Sequence, residues 1–362
     1  MNICIIGMNL TSLILSKALI NIGCSVDIFA FNQKKSNFST RTIGISRSNI
    51  NFINKNIITL NAKQFQNIKK IKILSHEKKE IINFYNKDKI LFSITEVNKL
   101  FDTIYNKLKS NKFFKINKLD EKNFEKKNFI NNYSLVINCE KNNFISRKYF
   151  SKKFKKKYDS LAYTSLIYHK KIKNFEAKQY FTNYGPLAFL PLSSATTSVV
   201  FSAYNLDKSY DKSFKELVLN FAGKLKINKF SDYQKAELNF SLARKYYFKN
   251  VLLFGDGLHQ IHPLAGQGFN MTIRDLKIFI DIIKNKVDYG LEIDASCLKE
   301  FEEVSKSKNF IFSEGINFIQ DFFRIKNSIG DKKLTKLVKK IGENNKLKNF
   351  FIKVADQGIT IS

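Results

Sequence analysis

The sequence predicts a mixed α/β fold in which a parallel-sheet domain is interleaved with a β-rich domain and closed by a helical C-terminal tail. Three observations carry this expectation. Residues 2–31 read strand, helix, strand; residues 70–94 and 161–201 read as strands and hairpins rich in Tyr, Phe, Thr and Ser; and from Ile273 onward apolar residues recur at helical spacing.

Taken in order, Asn2-Ile3-Cys4-Ile5-Ile6 is a short buried strand ending at Gly7. Leu13, Ile14, Ala18, Leu19 and Ile22 then follow at helical spacing, and Gly23 supplies the stop. A second apolar strand over 26–31 completes the βαβ opening that builds a parallel sheet. Further strands are expected at 133–139 and 250–254. The lysines at 152, 153, 155, 156 and 157 follow a strand in the manner of a loop. Helices are expected through 278–283, 298–304, 316–323 and 334–341. With no internal repeat and no clean linker, the expected division is 1–70, 95–150 and 250–295 in the first domain, 71–94 and 151–249 in the second, and 296–362 in the tail.

The chain's 362 residues suit two domains at roughly 150 residues each. Hydrophobic residues make up 44% and aromatic residues 14%, enough apolar surface to exclude a disordered chain. The longest apolar runs fall far short of the roughly 20 residues that span a bilayer, and no secretory signal is expected at the N-terminus. Cys4, Cys24, Cys139 and Cys297 show no paired spacing, which fits structural thiols in a reducing, cytoplasmic compartment. Lys and Arg number 62 against 31 Asp and Glu, a formal charge of +31. Because Lys is spread along nearly the whole chain, the excess reads as a solvated basic surface rather than a specific nucleic-acid site. An anionic membrane surface is the better candidate partner.

Gly7-Met8-Asn9-Leu10-Thr11-Ser12 stands where a dinucleotide fold carries G-x-G-x-x-G. There the glycines provide a tight turn, close approach of pyrophosphate to the backbone at a helix N-terminus, and close helix packing. Only Gly7 matches; Asn9 and Ser12 replace the second and third glycines, and Ala30 stands where an acid would hold the adenosine ribose. Loss of that charged hydrogen bond weakens a dinucleotide roughly ten- to a hundredfold.

The strongest segment is Gly255-Asp256-Gly257-Leu258-His259-Gln260-Ile261-His262-Pro263-Leu264-Ala265-Gly266-Gln267-Gly268-Phe269-Asn270, followed by Arg274-Asp275. An Asp at the end of a strand can accept hydrogen bonds from polyol hydroxyls. The Pro-x-x-Gly-x-Gly turn exposes N–H groups at the start of a helix, where they favour negative charge. This stretch closely resembles the G-D-A-A-H-x-x-x-P-x-x-G-Q-G-x-N motif of class A FAD-dependent aromatic hydroxylases. Gly185-Pro186-Leu187-Ala188-Phe189-Leu190-Pro191-Leu192 resembles the G-P-x-A-x-L-P-L of their ubiquinone-biosynthesis branch, and Ser39-Thr40-Arg41-Thr42-Ile43-Gly44-Ile45-Ser46 resembles D-x-R-x-x-A-L-S.

The resemblance implies a Rossmann-like FAD-binding domain interleaved with a β-rich substrate domain. It also implies hydroxylation of a polyprenylated phenol with O₂, FAD as cofactor and NAD(P)H as reductant. It assigns the cofactor to Gly7, Asn9, Ser12, Arg41, Gly255, Asp256, Pro263, Gly266, Gln267, Gly268 and Asn270. The substrate wall falls to Pro186, Leu187, Ala188, Phe189 and Leu190, and no side chain is assigned as general acid or base. A ubiquinone-biosynthesis complex and the inner face of a membrane are the implied partners. The family's A-D-G-x-x-S-x-x-R is represented by Cys139-Glu140-Lys141-Asn142-Asn143-Phe144-Ile145-Ser146-Arg147, which keeps an acid and the Arg but replaces the Gly and the Ser. These departures leave a second reading open, a degenerate relative that serves as a flavin-binding or structural subunit. His259 and His262 read as a packed pair, and no metal site is expected. Tyr163, Phe189, Phe201 and Tyr204 read as core of the β-rich domain.

Overall fold

The computed structural model describes residues 1–30, 41–85, 90–118, 129–204, 210–261, 266–329 and 345–358. In chain order the elements begin β1 (Asn2–Ile6), α1 (Leu10–Asn21), β2 (Ser25–Ala30), β3 (Thr42–Ser46), α2 (Arg47–Asn56), β4 (Gln66–Ile68), β5 (Lys70–Ser75), β6 (Glu80–Tyr85), β7 (Phe92–Glu96), α3 (Val97–Leu108), β8 (Phe114–Lys118) and β9 (Leu135–Asn138). They continue α4 (Phe144–Tyr149), β10 (Lys153–His169), β11 (Glu176–Thr182), β12 (Gly185–Pro191), β13 (Thr196–Ala203), α5 (Phe214–Phe221), β14 (Ile227–Phe230), β15 (Gln234–Ala243), β16 (Tyr247–Phe248), β17 (Val251–Leu253) and β18 (His259–Gln260). Three helices follow: α6 (Gln267–Asp288), α7 (Ala295–Ile329) and α8 (Asn345–Gln357).

The first sheet runs β16-β17-β9-β1-β2-β8, parallel throughout except for β16. Strand β1 lies at its centre and is buried on both faces from Ile3 to Ile6, which is why it lacks any polar alternation. Helix α1 is apolar nearly all round and is correspondingly enclosed, packing on α3 and α6. The chain leaves β1 toward β2 on one side and returns to β9 on the other. The strand order therefore reverses between β1 and β9, and their C-terminal ends open a crevice of the kind where doubly wound sheets bind ligands.

The second sheet has nine strands, β18-β15-β10-β13-β12-β11-β5-β6, with β14 paired to β10. Its outer face packs on α5 through Tyr163, Leu187, Phe189, Phe201, Phe214, Val218 and Phe221. Its inner face meets the small sheet β3-β7-β4, where Ile68, Ile94 and Ala177 pack with Phe92 and Leu190. The fold is thus mixed α/β with a Rossmann-like sheet, a β-rich sheet and C-terminal helices, as the sequence predicts.

Two local expectations are corrected. Lys153, Lys155, Lys156 and Lys157 do not lie in a loop: they open β10 and pair with residues 239–243 of β15. Because Phe154 to Lys157 are all exposed, no apolar alternation marks the strand, and only its partner reveals it. The separate helices expected at 298–304 and 316–323 are one continuous helix, α7. The helix expected at 334–341 lies outside the described residues.

Candidate cofactor and substrate site

The crevice is built at the ends of β1, β9 and β17. Gly7 follows β1 with φ +108°, and its N–H donates to the Phe29 carbonyl at 2.8 Å. Asn9 then caps α1. Its Oδ1 accepts from the Ser12 N–H at 3.0 Å and the Ser12 hydroxyl at 3.2 Å, while its Nδ2 donates to the Cys139 carbonyl at 3.2 Å. Glu140 lies over Gly7 so closely that a methyl group on Gly7 would stand 2.5 Å from the Glu140 Cγ. Burial pushes the Glu140 carboxyl above the usual carboxylate range.

The turn that carries Glu140 is held by residues that no sequence motif singles out. Asn138 and Asn143 exchange side-chain hydrogen bonds at 2.8 and 3.1 Å, and Asn138 also donates to the Ser146 hydroxyl at 2.9 Å. The Ser146 hydroxyl in turn donates to the Glu140 carbonyl at 3.1 Å. A serine two positions beyond Phe144 thus secures this loop.

Asp256 sits exposed in a 3-10 turn directly after β17. The preceding Gly255 has φ +57° and packs against Thr11 of α1, where a methyl group on the glycine would stand 2.7 Å from the Thr11 Cγ2. Lys153 closes the turn from β10 by donating to the Gly257 carbonyl at 3.0 Å; burial lowers the lysine's pKa, and Lys155 and Lys141 add to the effect. Further along, His259 Nε2 lies 2.7 Å from Asp275 Oδ2, and Asn309 Nδ2 donates to the other Asp275 oxygen at 3.0 Å.

The same segment ends at Gly266, in the left-handed region at φ +65°, against the backbone of Gly44. No side chain caps α6 there, so its first N–H groups carry the partial positive charge of the helix end without a side-chain acceptor. Asn270 is buried and fully committed: it donates to the Gly44 and Gly266 carbonyls at 2.8 and 3.1 Å and accepts from the Ser46 N–H at 2.8 Å and Asn49 Nδ2 at 2.9 Å. It staples α6 to β3 and α2. Gln267 Oε1 is buried with no hydrogen-bond partner among the described residues. Gly268 and Gln267 are half-exposed beside it. From the C-terminal side, Asp356 accepts from the Ser48 N–H at 2.8 Å, and its carbonyl accepts from the Ser46 hydroxyl at 2.9 Å.

The structure therefore brings Gly7, Asn9 and Ser12 together with Gly255 and Asp256, through the Thr11 contact, and brings Gly266 and Asn270 onto β3. Arg41 is exposed immediately before β3. Pro263 and His262 lie outside the described residues. The five wall residues divide by strand alternation. Leu187 and Phe189 point into the core beneath α5, so they do not face β3. Leu190 packs on the small sheet; Pro186 and Ala188 share its parity, and Ser198 of β13, paired to Leu190, bonds the Thr42 hydroxyl of β3 at 2.9 Å.

At one end of this crevice an uncapped helix start, two glycines in close approach and a buried Gln267 oxygen with no partner among the described residues are compatible with the polar edge of a flavin ring. At the α1 end the Asn9 side chain is tied to the Cys139 carbonyl and Glu140 lies over Gly7, so a diphosphate there would meet these side chains.

Comparison with known proteins finds similarity in both sequence and fold. Residues 166–281 match the FAD binding domain family. The chain is 28% identical over 183 residues to the mitochondrial ubiquinone biosynthesis monooxygenase COQ6 of Dictyostelium discoideum, covering 40% of this chain and 37% of that protein. It is 33% identical over 147 residues to 3-demethoxyubiquinol 3-hydroxylase of Escherichia coli, covering 38% and 37% respectively. The chain thus matches well under half the length of these relatives. Its fold superposes on p-nitrophenol 4-monooxygenase of Pseudomonas putida with a TM-score of 0.79 at 10% identity, over 99% of this chain and 98% of that one. Over the matched segments the chain is thus similar to an FAD binding domain and to monooxygenases and hydroxylases of ubiquinone biosynthesis.

Proposed function

We propose that the protein is an FAD-dependent monooxygenase that hydroxylates the aromatic ring of a polyprenylated phenol in ubiquinone biosynthesis, using O₂ and NAD(P)H. The observation that carries this reading is the pair of anchors on either side of the motif, Gly255 against α1 and Asn270 on β3, with the start of α6 at Gly266 left without a side-chain cap.

Bound FAD supplies the electron transfer and oxygen activation, chemistry that no side chain here can perform. The chain's part is to bind, orient and exclude water. Asp256 accepts hydrogen bonds from the ribityl hydroxyls. The N–H groups at the start of α6 would hold the flavin ring edge and favour negative charge there, with Asn270 fixing their position and Gln267 offering a carbonyl oxygen that has no partner among the described residues. Arg41 adds a positive charge beside the cofactor, and Gly7 permits the close turn after β1. Pro186, Ala188 and Leu190 wall the substrate side, while Leu187 and Phe189 keep that strand rigid from behind.

The second reading, a non-hydroxylating flavin-binding or structural subunit, gains no support from the relatives, whose names are those of hydroxylases and monooxygenases. Among the described residues no helix is long and apolar enough to cross a membrane. A lipophilic substrate is better met at a surface: exposed Phe154, Phe310, Ile311, Phe318 and Ile319 lie along β10 and α7 beside the β10 lysines, a composition suited to anionic lipid on the inner face of a membrane.

The deciding experiment supplies purified protein with FAD, NADH or NADPH and a short-chain prenylphenol. Phenol-dependent oxidation of the nicotinamide, with a product heavier by one oxygen atom, supports the proposal. Absence of product from a flavin-loaded protein rejects it in favour of the subunit reading. Sedimentation with anionic but not zwitterionic vesicles tests the membrane contact.

A further inference from the structure

Resting on the flavin reading above, we infer that this chain recognises the isoalloxazine and ribityl half of its cofactor and gains little from the adenosine diphosphate half. Its corner for the diphosphate is occupied by its own side chains.

Three features of this corner disfavour a diphosphate: a side chain in the turn, an acid reaching over Gly7 and the missing ribose carboxylate. The second position of the turn, where backbone must come close to phosphate, holds the Asn9 side chain. That side chain does not swing free: its oxygen satisfies the Ser12 N–H and hydroxyl, and its nitrogen ties α1 to β9 through the Cys139 carbonyl at 3.2 Å. A phosphate oxygen approaching the start of α1 must displace this bridge.

The second feature is charge. Glu140, half-buried over Gly7, is one methylene longer than the Asp of the family's motif, and its carboxylate reaches over the turn where a doubly negative group would enter. At close range in a partly desolvated crevice that repulsion is not screened away. The neighbouring Lys153 ammonium is directed to the Gly257 carbonyl. The third feature is the adenosine ribose. Strand β2 ends at the buried Ala30, and no Asp or Glu occurs in the sequence between Asp27 and Glu77 to replace the missing carboxylate.

Among the described residues nothing comparable obstructs the flavin half. Gly266 and Gly44 meet backbone to backbone, α6 has no side-chain cap, and the Asn270 amide is already consumed in holding β3, so it does not compete for a ligand. The cofactor's two halves therefore meet opposite surfaces: one prepared, one self-satisfied.

The test titrates the purified full-length chain separately with FAD and with riboflavin, following quenching of flavin fluorescence. The wild-type protein is expected to bind the two with dissociation constants within about fivefold of each other. Asn9→Gly, which costs little as a helix cap, is expected to tighten FAD about tenfold while leaving riboflavin unchanged. Glu140→Gln is the companion variant, altering no cap and predicted to shift FAD in the same direction by a smaller factor. Wild-type protein that prefers FAD over riboflavin by a hundredfold or more overturns the inference, as does an unchanged FAD affinity in both variants. Failure of the wild type to bind either flavin overturns the cofactor reading itself, an outcome distinct from a strong preference for FAD.

Discussion

His259 and Asp275 form a buried pair at 2.7 Å, sixteen residues apart in sequence, that fastens β18 to α6 across the flank of the candidate site. Both side chains are almost wholly withdrawn from solvent. With Asn309 of α7 on the second carboxylate oxygen, three elements converge on one side chain.

Removing one partner of such a pair leaves a buried polar group uncompensated. Asp275→Ala is expected to cost about 3–5 kcal/mol of unfolding free energy, with Asn309→Ala costing about 1–2 kcal/mol. Urea denaturation followed by circular dichroism measures both. A loss under about 1 kcal/mol for Asp275→Ala, no more than one ordinary hydrogen bond, would show that the pair does not hold these elements together.

Asn270 makes four hydrogen bonds that join α6 to β3 and α2. Asn270→Ala is expected to destabilise by about 2–4 kcal/mol and to weaken flavin binding in the surviving folded protein. Parallel thermal and flavin titrations separate the two effects; an unaltered affinity would mean that the start of α6 is not part of the cofactor cradle.

Glu140 provides a pH signature. Burial raises its folded pKa above the unfolded value, so protonation favours the native state. The contribution is fully present below the unfolded pKa and is lost as pH rises through the folded pKa. Glu140→Gln is therefore expected to raise the melting temperature by about 1–3 °C at pH 7 and to change it less at pH 4. Equal shifts at both pH values would contradict the burial of this carboxyl.

Gly185 opens β12 at φ +136°, and an added Cβ would lie 1.9 Å from the Ser202 carbonyl oxygen. Gly185→Ala is expected to cost about 3 kcal/mol or more, because neither backbone can retreat without breaking the β12–β13 pairing. Expression and melting temperature report it, and a neutral outcome would argue against this register.

Much of the architecture is written locally. The apolar run from Ile3 to Ile6, the helical spacing after Leu10 and the stop at Gly23 specify β1 and α1 without help from distant residues, and Gly266 marks the start of α6. What escaped the sequence was decided at a distance. The lysines of β10 are strand because residues 239–243 pair with them. Asn270 looks like a ligand for the cofactor in its motif, yet its amide is spent on Gly44, Ser46 and Asn49. A five-residue wall from Pro186 to Leu190 could not survive strand alternation, which sends Leu187 and Phe189 into the opposite core. Asn138, Asn143 and Ser146 carry no recognisable spacing, and only their mutual hydrogen bonds show that they hold the Glu140 turn.

The account stands on whether the crevice between Asp256 and Asn270 receives an isoalloxazine ring. The visible absorbance spectrum of the protein, taken after saturation with FAD and removal of free cofactor, measures this directly for wild type and Asp256→Ala. Wild-type protein should be yellow with the bands of oxidised flavin, and Asp256→Ala should retain about a tenth as much, the loss of roughly one charge-assisted hydrogen bond. A colourless wild type at saturating FAD, or a variant that keeps its full complement, would contradict it.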